Sequence, residues 1–114
     1  MHVVIFEVEP TADGKPRYLE IAGELRAELQ NIDGFLSIER FQSLNDEGRM
    51  LSLSYWRDAE AIAAWRANGS HRLAQAEGRR ELFADYRIRI AEVVRDYTMT
   101  KRDEAPQAPP DETG

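Results

Sequence analysis

The pattern of apolar and polar positions changes period several times along this chain. Residues 2–9, "HVVIFEVE", are β-branched and aromatic, the composition of a strand. "PTADGKP" follows, punctuated by proline and Asp-Gly, and reads as a loop. From Pro16 the apolar positions Tyr18, Ile21, Leu25, Leu29 and Ile32 fall three or four apart, which predicts an amphipathic helix. Pro16 suits its first turn and Asp33-Gly34 ends it. "FLSIERFQSL" and "RMLSLSYWR" then flank the turn-forming "NDEG", predicting a β-hairpin whose loop is slightly longer than two residues. In its second strand Leu51, Leu53 and Tyr55 alternate with Ser52, Ser54 and Trp56. Asp58 can cap a second helix, "AEAIAAWRAN", which breaks at Asn68-Gly69. Ser70 can cap a further helical piece to about Asp85, and "YRIRIAEVVRDYTM" alternates like a final strand.

The order is β-α-β-β-α-β, the split βαβ of ferredoxin-like α+β folds, with a four-stranded antiparallel sheet. Two helices cover only one face of such a sheet. Both faces of these strands nevertheless carry apolar residues: Val4, Phe6 and Val8 on one parity of the first strand, Val3 and Ile5 on the other. A second copy packed on the bare face resolves this, so a homodimer is expected. The domain is expected to span residues 1–98. The remainder, 99–114, is charged and proline-rich with no apolar anchor, and is expected to be disordered.

Composition narrows the function classes. The chain has 114 residues, enough for one core, with 42% hydrophobic and 32% charged residues. Its net charge of −6 offers no basic stripe for phosphates, so no nucleic-acid partner is expected. No apolar run approaches a membrane span and the first residues do not resemble a secretion signal. The absence of cysteine excludes thiolate metal sites and cysteine nucleophiles. These features set a cytoplasmic location as the expectation. Glycine-loop nucleotide motifs and the G-x-S-x-G elbow are absent, and two histidines in different regions make no metal site.

The βαββαβ order, together with "YWRDAEAIAAWRANGSH", "AEGR" and "DYRIRIAEVVRDY", resembles the antibiotic-biosynthesis monooxygenase family. The resemblance covers about residues 2–98. It implies a dimeric α/β barrel with a ligand pocket between sheet and helices. One branch of that family oxidises aromatic quinols with dioxygen and uses neither metal nor flavin; another degrades haem. The haem-degrading pattern needs an Asn on the first strand, a Trp on the second helix and a His ten residues later. Trp65 matches the Trp, but the first strand offers Phe6 or Glu7, and Gln75 stands ten residues on. The resemblance therefore implies a cofactor-independent monooxygenase acting on a small aromatic or quinol-like compound, with haem as the alternative. A non-catalytic dimeric module that binds a small ligand is the reading from another class.

The candidate residues follow. His71 is the candidate catalytic group, because neutral imidazole can remove a proton near neutral pH. Its plainer role is at a helix start after Ser70, and the helical positions i+3 and i+4 hold Ala74 and Gln75 rather than a carboxylate. Trp65, Trp56, Tyr55, Phe6 and Tyr86 are the candidate substrate-binding residues, each equally intelligible as packing. Arg79 and Arg80 are read as surface pairs of Glu77, Glu81 or Asp85. No metal ligand is assigned.

Overall fold

The computed structural model describes residues 1–67 and 82–106. Six elements follow in the predicted order: β1 (His2–Pro10), α1 (Lys15–Leu29), β2 (Phe35–Gln42), β3 (Met50–Trp56), α2 (Ala59–Arg66) and β4 (Phe83–Glu92). The four strands form one antiparallel sheet in the order β2-β3-β1-β4. β1 and β3 are thus internal, each paired on both sides. No helix among the described residues is long and apolar enough to cross a membrane.

The register decides which residues share a face. Val4 pairs with Ser54 and Ile90, Phe6 with Ser52 and Ile88, and Val8 with Met50 and Tyr86. This parity faces the helices. The other parity carries Val3, Ile5, Leu51, Leu53, Tyr55 and Phe41, which no helix among the described residues covers. On β3 the arrangement inverts simple expectation, because the leucines face the open side and the serines face the helices. Two apolar clusters hold the helices down. One joins Leu29, Trp56, Ala61, Ile62 and Trp65; the other joins Val8, Tyr18, Ile21 and Leu82.

Several boundaries differ from the periodicity. α1 stops at Leu29, and Ile32 belongs to the following turn, where its N–H donates to the Leu29 carbonyl at 3.0 Å. Ile32 still packs on the core, so it kept the helical spacing without the helix. The hairpin loop runs from Ser43 to Arg49, longer than predicted, and is closed by Ser43 and Asp46 side chains that accept backbone N–H bonds. β4 starts at Phe83, so no helix continues to Asp85, and it ends at Glu92 rather than near Met99. The reason is its partner: β1 supplies ladder positions only from Pro10, opposite Phe83, to His2, opposite Glu92. A strand cannot outlast the neighbour that satisfies its backbone. Beyond it, the first part of the tail folds on residues 96–98, where the Asp96 N–H donates to Glu104 at 2.8 Å and Arg102 lies over the Tyr97 ring. Residues 107–114 lie outside the described residues.

Gly34 sets the turn between α1 and β2. It has φ +88°, and a Cβ there would stand 2.6 Å from the Ala61 Cβ, while its carbonyl accepts the Arg57 N–H at 2.7 Å. Left-handed backbone and close approach both demand glycine. Gly34→Ala is therefore expected to destabilise the fold by about 1–3 kcal/mol. Chemical denaturation checks this as a lower midpoint with an unchanged slope.

Candidate active site

The helix-facing serines open space. Ser52 and Ser54 are 6% and 7% exposed, yet they are small residues on a face whose neighbours are large. Above them lies a cavity of about 170 Å³. Its floor is Val4 and Phe6 of β1, Ile38 of β2 and Ile88 of β4; its roof is Tyr18, Ile21 and Leu25 of α1 with Ile62 and Trp65 of α2. Engineered apolar cavities of about 150 Å³ hold benzene, so this space takes one ring and little more.

Aromatic rings build both ends. At one end Phe35 meets Trp56 edge-on at 5.3 Å, and Trp56 stacks with Trp65 at 6.4 Å. At the other, Tyr18 meets Phe83 edge-on at 5.4 Å, and Phe6 and Tyr86 complete the cluster at 5.8 and 5.9 Å. Trp56 is the anchor, 1% exposed, with its indole N–H donating to the Ser54 hydroxyl at 2.9 Å. On the β4 side the inward residues Tyr86 and Ile90 remain 39% and 45% exposed, so the cavity opens over the sheet edge.

Local chemistry aims α2, and with it Trp65, over the sheet. Asp58 is the N-cap and its carboxylate accepts the Ala61 N–H at 2.9 Å. Arg57 beside it forms a bidentate pair with Asp33, at 3.0 and 3.1 Å, and also reaches Asp58. The Ala61 N–H, followed by Arg57, holds the Asp58 carboxyl below its ordinary value, and Arg57 does the same to Asp33. The two carboxylates raise Arg57 in turn.

The structure brings together four of the predicted binding residues: Phe6, Trp56, Trp65 and Tyr86 all line the cavity. Tyr55 stands apart from them, since its alternation with Trp56 puts it on the open face, paired with Val3 and Ser37. His71, with Arg79 and Arg80, lies outside the described residues. His2 pairs with Trp56 and Glu92 and does not line the cavity, and its Nδ1 is buried without a hydrogen-bond partner. Sequence reasoning missed Arg40, Arg66, Ser52 and Ile88. The signal for the serines was present: small polar residues sharing the parity of a buried tryptophan mark a gap. Among the described residues no three His, Cys, Asp or Glu side chains form a metal-binding group. No described histidine lines the cavity.

The family model for antibiotic biosynthesis monooxygenases matches residues 1–77. The chain belongs to that family. A jasmonate monooxygenase of Pyricularia oryzae is 44% identical over 93 residues, covering 82% of this chain but 43% of that protein, so the chain spans less than half of this relative's length. An uncharacterised protein of Bacillus subtilis, YqjZ, is 32% identical over 78 residues, 68% of this chain and 67% of its own. Among solved structures, an antibiotic-biosynthesis-monooxygenase-type protein from Deinococcus radiodurans superposes with a TM-score of 0.78 at 15% identity, over 87% of this chain and 98% of its own. One from Nitrosomonas europaea gives 0.72 at 14% identity, over 82% and 99%. At these identities the structures establish the shared fold of the family.

Two predictions follow from the geometry around α2 and Trp56. Ser54→Ala strands a buried indole N–H and is expected to cost about 1–3 kcal/mol. In a Trp56→Phe background, where no such donor exists, the same change should cost almost nothing, as a double-mutant cycle on thermal stability will show. For Asp58, a lowered folded-state pKa means its stabilisation is complete above the unfolded carboxyl's titration and is lost as pH falls through the folded value. Asp58→Ala should thus lower Tm clearly at pH 7, with the gap to the native chain closing in acid. Asp58→Asn, which caps without charge, should keep most of the neutral-pH stability.

Proposed function

We propose that this chain is a cofactor-independent monooxygenase that binds a small aromatic or quinol-like compound in the cavity between sheet and helices. The observation that carries the reading is the one-ring apolar space with aromatic ends, in a chain of the antibiotic biosynthesis monooxygenase family. A relative named for the oxidation of jasmonate supports oxygenation of a small organic compound. Chemistry of this kind asks little of the protein. The substrate supplies the electrons, and the site must exclude water, orient the ring and remove a proton. For a hydroquinone the balance closes without a cofactor: dioxygen places one oxygen on a ring carbon and the other leaves as water, giving the hydroxyquinone. His71 is proposed as the base, on its chemistry alone, because an imidazole's ordinary pKa near ~6.5 matches the task.

A homodimer belongs to the same proposal. The open face presents Val3, Ile5, Leu51, Leu53 and Tyr55 as a continuous apolar surface, with Phe41 42% exposed at its edge. Such a surface is stable in water when a second copy covers it.

Oxygen uptake with a panel of hydroquinones, read with ¹⁸O-labelled dioxygen, tests the activity. One labelled oxygen in the product is expected, and His71→Ala should lower the rate by roughly 10²–10⁴-fold with assembly unchanged. Uptake absent for every compound removes the oxygenase reading, and unchanged turnover in the variant removes the role of His71. Light scattering should return twice the 13.1 kDa chain mass. A 13.1 kDa species would refute the dimer.

A further inference from the structure

Two arginines line this cavity: Arg40 from β2, half-buried, and Arg66 from the last turn of α2, exposed. A donor shut off from water without a partner is costly. Arg40 shares the inward parity of Ile38 and stands opposite Ser52 in the ladder. Its Nε is shut off from solvent and has no hydrogen-bond partner. By contrast, Arg49 and Arg89 reach Glu7, and Arg57 reaches Asp33 and Asp58. Among the described residues, no carboxylate lines the cavity and none pairs with Arg40 or Arg66.

We propose that the ligand of this cavity carries a carboxylate, and that Arg40 is the residue that binds it. The inference rests on the cavity being the substrate site. Nε and one terminal nitrogen of a guanidinium form a side-on fork that matches the two oxygens of a carboxylate. In Arg40 the inner member of that fork has no protein partner to give up. Arg66 adds positive charge to the same chamber, while Phe6, Trp56, Trp65 and Ile88 take the apolar body. A carboxylate suits this chamber because one guanidinium fork satisfies both of its oxygens. The substrate class is thereby a small ring compound bearing one carboxylate.

Isothermal titration of the full chain with phenylacetate and with 2-phenylethanol, which share a ring and nearly a length, tests this. Phenylacetate is expected to bind at least roughly tenfold tighter, the scale of a hydrogen-bonded charge pair. Arg40→Met, which keeps the apolar stem, should abolish that preference while leaving 2-phenylethanol affinity unchanged, and an unchanged circular dichroism melt shows that the fold is intact. Arg40→Gln serves if the methionine variant does not fold. Equal affinities in the native chain, binding of neither compound, or a preference that survives both variants overturns the proposal. Inorganic phosphate that displaces phenylacetate with the same dependence on Arg40 overturns it too, as a general anion site. Because binding is read without turnover, a carboxylate preference in a chain that consumes no oxygen removes the oxygenase reading alone. Oxygenation of neutral hydroquinones without any such preference removes this inference alone.

Discussion

The structure turns on the burial of Trp56. Its ring closes the hairpin strand, meets Phe35 from β2, stacks on Trp65 from α2 and donates its one polar hydrogen to Ser54. An indole buried this deeply must satisfy that hydrogen from within. β3 does so with a small hydroxyl two residues earlier on the same face. That choice places serine where the core would otherwise take leucine. The parity of β3 is settled with it, so Leu51, Leu53 and Tyr55 turn to the opposite face.

The cavity and the bare apolar face are therefore two consequences of one register. The space opens over the β4 edge, so a ligand whose ring fills it displaces water from apolar walls, and larger residues at Ser52 and Ser54 would remove it. Around it the anchoring is firm: Arg57 bound to Asp33 and Asp58, and the cap on Ala61, fix α2 at the point where the chain leaves β3.

Much of the fold was legible because strand and helix periods do not overlap. The β-branched and aromatic run from His2 to Glu9 announced a strand, with the parity that faces the helices left open, and Tyr18, Ile21, Leu25 and Leu29 announced a helix. Boundaries were less legible where they depend on a neighbour: β4 ends with its partner β1, and Ile32 keeps a helical spacing inside a turn. The site divides in the same way. Trp56, Trp65, Phe6 and Tyr86 were visible as large residues on plausible faces, whereas Tyr55 depended on a parity that two apolar sets left open. Arg40 was hidden because arginine on an edge strand reads as a solvated charge. Only the register, which puts it opposite Ser52 and over the cavity, gives it another meaning.

The central claim is that the space between sheet and helices is a ligand site and not a packing defect. The most direct measurement is a ¹H–¹⁵N correlation spectrum of the labelled chain, titrated with phenylacetate. The account predicts saturable shifts of both tryptophan indole signals and of the amides of Phe6, Arg40 and Ser52, with Leu53 and Tyr55 still. Shifts confined to the open face, or none at saturating ligand, would contradict it.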